Sequence, residues 1–290
     1  MIDRLEMFLA LARERHFGRA AESLGVAQPT LSAALKALEE SLGVVLVRRG
    51  SRYLGLTDEG ERALLWARRM VADARSLRDD MRPREGLSGH LRLGVIPTAL
   101  GPASRLTAAL AARHAGLRVT VTSATSAAIL DGIEALSLDA GITYLDGEPI
   151  GRARAVPLAE ERYACVLRDD HPLASRAEVT WAEAGALPLC LLTPDMQNRR
   201  IVARHLAEAG HPAAPRVEAN AITVLVAHVA QGPFATILPV GAAELFLLHG
   251  PLRAVPLTAP DARHIVGLVV PDRDPQLAPV EALLSEAARS

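Results

Sequence analysis

Aromatic residues make up 3% of the 290-residue chain, cysteines number two, and Lys36 is the sole lysine. So few aromatics leave the core to be built from Ala, Leu and Val. Cys165 and Cys190 are too few for a disulfide framework and fit a reducing compartment. No run approaches the roughly 18 apolar residues of a membrane span, and Asp3, Arg4 and Glu6 replace the basic start of a secretory signal. Together these predict a cytoplasmic protein without a membrane partner. The net charge of −1 and a hydrophobic fraction of 50% exclude a uniformly basic nucleic-acid coat, an acidic tail and a disordered chain. The length suggests two or three domains.

The charge divides unevenly. Residues 1–89 carry 15 basic and 13 acidic side chains, and residues 90–290 carry 17 and 20. A nucleic-acid partner must therefore be argued from the placement of basic residues, not from their number.

In residues 1–15 the apolar positions Leu5, Phe8, Leu9, Leu11 and Ala12 recur at helical spacing. A second helix is expected over about 18–24, ended by Gly25, which can turn the chain at positive φ. Gln28-Pro29-Thr30 opens a third helix, with Leu31, Leu35, Leu38 and Leu42 as its buried stripe. Two helices joined by a glycine turn describe a helix-turn-helix. The second helix then presents Gln28, Thr30, Ser32, Ala33 and Lys36 on the half that reaches base edges in a major groove. Gln28 can pair with adenine, Thr30 offers a hydroxyl or methyl, and Lys36 can meet phosphate or guanine. Extended pieces at Val44–Val47 and Leu54–Leu56 flank Arg48, Arg49 and Arg52, a basic wing suited to the phosphate backbone.

These residues resemble the winged helix-turn-helix of LysR-type transcriptional regulators. The resemblance is carried by Phe17-Gly18-Arg19-Ala20-Ala21, Leu24-Gly25-Val26, Gln28-Pro29-Thr30-Leu31-Ser32, Leu38-Glu39-Glu40, Leu42-Gly43 and Leu56-Thr57-Asp58-Glu59-Gly60. It implies DNA contacts from Gln28, Pro29, Thr30, Ser32, Ala33, Lys36, Arg48, Arg49 and Arg52. The sequence departs from the family at Ala27, at Ala33-Ala34 and at Val47, which leaves the bases read undetermined.

From Thr57 a long helix is expected to about Arg82, with acidic residues in its first turn. Ala63, Ala67, Met70, Ala74, Leu77 and Met81 form a heptad seam flanked by Leu64 and Val71. The resemblance implies antiparallel pairing of two such helices, and two-fold symmetry predicts an inverted-repeat site in double-stranded promoter DNA. Self-association is expected, as a dimer or as a dimer of dimers, a homotetramer, with RNA polymerase as a candidate partner; the sequence leaves dimer against tetramer open.

Residues 83–89, rich in Pro and Gly, mark a hinge. Beyond them strands alternate with helices, which argues for a mostly parallel α/β sheet. The pattern resembles the family's effector domain, whose fold is that of periplasmic binding proteins with two Rossmann-like subdomains. The expected layout is a DNA-binding domain at 1–58, a linker and dimerisation helix with hinge at 59–89, and an effector domain at 90–290. Within it, 90–160 with 266–290 would form one subdomain and 161–265 the other, with a cleft between.

Ligands of open α/β sheets bind beyond strand C-termini, beside helix N-termini. Thr98 and the Thr125-Ser126 pair stand at such places, and the resemblance implies an effector site there for a small anion. Met196, Gln197 and Thr223 are further pocket candidates. The stretch Met196-Gln197-Asn198-Arg199-Arg200 resembles regulators encoded beside formate dehydrogenase genes, which implies a small carboxylate such as formate.

Other classes fit less well. Cys165 and Cys190 lie in apolar runs, against a redox sensor. His205 and His211 share no helical face, and no metal-ligand spacing, nucleophile elbow, P-loop or dinucleotide fingerprint occurs. Neither an enzyme, a metal nor another cofactor is expected. A solute-binding protein would explain residues 90–290 but not the first ninety.

Overall fold

A computed structural model describes the chain outside residues 50–52, 82–85, 148, 248–250 and 290. It divides into two compact units, Met1–Gly89 with 135–137, and the remainder.

In the first unit, α1 (Ile2–Glu14), α2 (Phe17–Ser23) and α3 (Gln28–Leu42) precede β1 (Val47–Arg49), β2 (Tyr53–Leu56) and α4 (Asp58–Asp80). Phe8, Leu11, Ala20, Leu31, Leu35 and Leu38 close one core. The His16 side chain accepts from the Arg19 amide at 3.3 Å and starts α2. Gly25, at φ +66°, makes the turn that a side chain would strain.

Three local expectations are corrected. Leu42 is exposed, because it is the last residue of α3 before Gly43 turns the chain away. The first wing strand begins at Val47 rather than Val44. Glu39 Oε1 accepts from the Leu46 and Val47 amides at 2.9 and 3.2 Å, so those amides are held by α3 before the chain reaches β2. The expected seam on α4 divides: Ala67 and Val71 are buried in the unit's own core with Ala63 and Leu64 against it, whereas Met70, Leu77 and Met81 are exposed. Leu65 and Trp66 join that exposed face.

The second unit contains β3 (Ser88–Val95), a 3-10 turn at Pro97–Ala99, α5 (Leu100–Arg113), β4 (Gly116–Ser123), α6 (Ser126–Glu134), β5 (Ala140–Tyr144) and β6 (Arg154–Arg168). It continues through β7 (Val179–Thr180), α7 (Trp181–Gly185), β8 (Cys190–Leu192), α8 (Gln197–Glu208), β9 (Val217–Ala219), α9 (Ile222–Gln231) and β10 (Thr236–Pro239). The last elements are α10 (Val240–Leu247), β11 (Leu252–Thr258), β12 (Arg263–Val270) and α11 (Ala278–Ala287).

The large sheet runs β4-β3-β5-β12-β6-β11-β7, with β10 also on β6. It is mixed rather than mostly parallel. β3 and β5 are parallel, but β12 is antiparallel to β5 and β6, and β6 is antiparallel to β10 and β11. The cause is β6, which pairs with β12 over Arg154–Arg162 and with β10 and β11 over Tyr163–Arg168. One strand thus pairs with both parts of the sheet, and residues 160 and 161 both lie inside it. Pro157, Glu160 and Glu161 interrupt its apolar pattern, which is why the sequence shows only its second half.

Candidate nucleic-acid interface and effector pocket

On α3, burial of Leu31, Leu35 and Leu38 leaves Gln28, Pro29, Thr30, Ala33 and Lys36 exposed, with Ser32 and Ala34 half-buried. The N-cap is Ala27, which supplies no capping side chain. Lys36 lies 3.8 Å from Glu40 and Arg48 lies 3.3 Å from Asp58. All four side chains are exposed, so both pairs are weak and yield readily to phosphate. Arg49 is the last residue of β1, and Arg52 lies outside the described residues. Thr57 joins the wing to α4: its hydroxyl donates to the Val45 carbonyl at 2.6 Å and accepts from the Gly60 amide at 2.9 Å. The result is an exposed polar helix face beside a basic two-stranded wing.

In the second unit, Ile96, Pro97, Thr98, Ser126, Tyr144, Leu192, Met196, Gln197 and Asn198 enclose a cavity of about 10 Å³, room for one water-sized group. Three backbone starts converge there: the 3-10 turn after β3, the N-terminus of α6 and the N-terminus of α8. A side chain at Gly141 would put its Cβ 2.3 Å from Ile129, so glycine lets α6 lie close on β5. Of the residues singled out in the sequence, Thr98, Ser126, Met196 and Gln197 line the cavity. Thr125 and Thr223 do not: Thr125 Oγ1 accepts from the Ala128 amide at 3.2 Å as a helix cap, and Thr223 lies on the exposed side of α9.

The cavity wall also holds residues the sequence did not single out. The Tyr144 hydroxyl donates to Glu161 at 2.7 Å, accepts from Asn198 Nδ2 at 3.1 Å and lies 3.3 Å from Thr98 Oγ1. Burial pushes the Glu161 carboxyl up to about 8, so it carries its proton at neutral pH; the Tyr144 hydrogen bond opposes this shift and Asp146 adds to it. Burial, then Glu161, raises Tyr144 and Tyr163 well above the usual phenol range. Gln197 Nε2 donates to the Asp146 carbonyl at 2.9 Å, and the Asp146 carboxylate contacts His264. Tyr163, Trp181, His205 and His264 stack behind, with Trp181 and His205 centroids 4.9 Å apart. Three of the chain's nine aromatics, Tyr144, Tyr163 and Trp181, therefore stand at or behind this wall. Pairing across strands is the signal that assembles them, and no sequence spacing reports it.

Among the described residues, no charged side chain lines the cavity. An anion, as expected from the sequence, would have only hydroxyls, amides and helix N-termini to hold it. Cys165 and Cys190 are buried in β6 and β8, and burial pushes their thiols up to about 12 and about 11. Among the described residues no three His, Cys, Asp or Glu cluster as metal ligands, and no helix is long and apolar enough to cross a membrane.

A winged helix-turn-helix with a long helix, together with a mixed α/β unit enclosing a small cavity, is the architecture of a two-module transcriptional regulator. The chain belongs to the LysR family: residues 2–61 match its bacterial regulatory helix-turn-helix model and residues 84–290 its substrate binding domain model. It is 31% identical over 290 residues to the DNA-binding transcriptional dual regulator OxyR of Escherichia coli K12, covering 99% of this chain and 94% of that protein. A probable hydrogen peroxide-inducible genes activator of Mycobacterium avium is 31% identical over 272 residues, covering 91% and 86%. A full-length OxyR variant from Pseudomonas aeruginosa superposes with a TM-score of 0.76 at 26% identity over 99% of this chain and 94% of that one. Full-length CbnR complexed with its target DNA shares the fold, at TM-score 0.69 and 20% identity over 100% and 99%. These relatives are transcription regulators, not enzymes.

Proposed function

We propose that the protein regulates transcription by binding an inverted-repeat promoter site as a homodimer or homotetramer in the cytoplasm, and that a small effector in the Thr98–Ser126–Gln197 cavity alters how it engages DNA and RNA polymerase. In this reading residues 1–58 read DNA, 59–89 pair the subunits and 90–290 sense the effector. Gln28, Pro29, Thr30, Ser32 and Ala33 face base edges, while Lys36, Arg48, Arg49 and Arg52 meet phosphate. Met70, Leu77 and Met81 pair the subunits, with Trp66 and Leu65 added from their exposure and Ala63, Ala67 and Ala74 in support. The observation that carries the DNA reading is the exposed α3 face beside the wing.

The salt dependence of promoter binding by the full chain tests it. Each neutralised phosphate adds about 0.9 to the log–log slope. Replacing Lys36 and Arg48 together by Ala removes four phosphate contacts per DNA-bound dimer and is expected to weaken binding across sequences and flatten the slope by about 3.6. An unchanged slope would remove both residues from the interface.

The Mycobacterium avium relative is named for hydrogen peroxide, and no matched relative's name supports formate. Oxidation by peroxide requires an accessible thiolate, which the burial of Cys165 and Cys190 opposes. We therefore read the response as reversible binding rather than thiol oxidation. In a promoter reporter, Thr98→Val is expected to lose induction while promoter binding persists, and a Cys165→Ala, Cys190→Ala double variant is expected to keep induction. Retained induction in the first would take Thr98 out of the site; lost induction in a folded double variant would restore thiol chemistry.

A further inference from the structure

Ser126 and Gln197 are 1% and 5% exposed, and both line the cavity. Ser126 Oγ and Gln197 Oε1 have no hydrogen-bond partner among the described residues. An unpaired buried polar atom costs about 1–3 kcal/mol, so both positions favour a ligand that completes them. Gln197 Oε1 can only accept, because its amide nitrogen is turned to Asp146. Whatever satisfies it must donate a hydrogen bond. Ser126 Oγ can donate or accept.

The surroundings argue against a full negative charge. Among the described residues, no Lys, Arg or His lines the cavity. Arg199, next along α8, is turned to Glu218 at 3.5 Å. Asp146, which contacts His264 through its carboxylate, stands behind Gln197. The N-termini of α6 and α8 each offer about half a positive charge, which suits a carbonyl or hydroxyl oxygen; a full anion would have these dipoles, amides and hydroxyls alone to hold it, with no cation in the lining to add to them.

Resting on the effector site proposed above, we infer that its ligand is an uncharged molecule of roughly one to three heavy atoms carrying both a hydrogen-bond donor and an acceptor, and that it bridges Gln197 Oε1 on α8 to Ser126 Oγ on α6. Such a bridge ties the segment after β4 to the segment after β8, the two lobes that share β6. Met196, unbranched and flexible, is the wall that adjusts to ligands larger than water.

Formamide and formate test this, since they share a planar three-atom frame and differ in charge and in donors. Met196 is one of five methionines, so its methyl resonance in the full chain labelled with ¹³C-methyl methionine reports on the cavity. At pH 7, formamide is expected to shift that resonance saturably and to bind at least about ten-fold more tightly than formate. Ser126→Ala and Gln197→Met are each expected to lower formamide affinity about ten-fold. Ser126→Ala should not lower the unliganded Tm, because it removes an unpaired polar atom; this controls for misfolding. Equal or tighter formate binding, lost in the same variants, would overturn the uncharged assignment while leaving the site standing. Formamide binding untouched by either variant would overturn the bridge. Saturation by neither probe would mean that the cavity holds water only and would also overturn the inference, whereas the effector site itself is judged separately by Thr98→Val in the reporter.

Discussion

Glu161→Gln is expected to stabilise the protein at pH 8 and above and to flatten its stability profile between pH 4.5 and 8. Folding raises the Glu161 carboxyl from 4.5 to about 8, chiefly by burial. The folded state therefore holds a proton that the unfolded chain releases. The stability associated with this group is fully present below about pH 4.5, falls as pH rises towards 8, and is lost above that. A rise from 4.5 to about 8 corresponds to on the order of 5 kcal/mol. Gln keeps the shape of the protonated acid, and its carbonyl can still accept from the Tyr144 hydroxyl, which lies 2.7 Å from the carboxylate. For a unit of this size the gain in Tm at pH 8.5 is on the order of 10 °C. Thermal unfolding of both proteins from pH 4.5 to 9 measures it. Parallel curves would show that Glu161 is ionised and solvated in the folded state.

The second large effect concerns pairing. Met70→Asp with Leu77→Asp is expected to yield monomers and to reduce affinity for a full inverted repeat at least about 100-fold, because the second half-site is then no longer bound intramolecularly. Met70 and Leu77 are 44% and 61% exposed on α4, so the charges meet water in the monomer and the fold is retained. By contrast, Ala67→Asp would place a charge in the unit's own core and unfold it, which cannot test pairing. Sedimentation and a promoter shift assay read the two outcomes together. A variant that still sediments as the wild type, or that holds the promoter at full affinity, would move the pairing surface off this face.

The weak net charge also acquires a physical meaning. If, as proposed, only Lys36 and a few wing arginines meet phosphate, a single DNA-binding unit has few phosphate contacts and strong binding is expected to depend on pairing.

Much of the DNA-reading unit was legible because its signals are local. Gly25 marks a turn by its own conformational freedom, Pro29 marks a helix start, and Leu31, Leu35 and Leu38 mark a face by helical spacing alone. The same periodicity could not divide α4. Ala63, Ala67, Met70 and Ala74 read as one seam, yet helices in contact with both a core and an outside face carry two apolar stripes. Which stripe is buried depends on where α1 packs.

In the sensing unit, Thr98 and Ser126 could be placed from the sequence because each follows a strand and opens a helical segment. Tyr144, Glu161 and Asn198 could not. They come from β5, β6 and α8, and only the antiparallel pairing of β12 between β5 and β6 brings the first two together. Glu161 illustrates the limit most directly: in the chain it is one acidic residue beside Glu160, which is half exposed and paired with Arg263 at 2.9 Å. Alternation along β6 turns the one outward and the other inward.

The sequence alone thus determined the family, the helix-turn-helix and the helix starts at Thr98 and Ser126, since these rest on spacings within a few turns of chain. The tertiary structure decided which apolar face of α4 is exposed, that the cysteines are buried, and that the cavity has no charged side chain in its lining among the described residues. Those properties depend on desolvation and on partners distant in the chain, and neither is encoded in any local pattern.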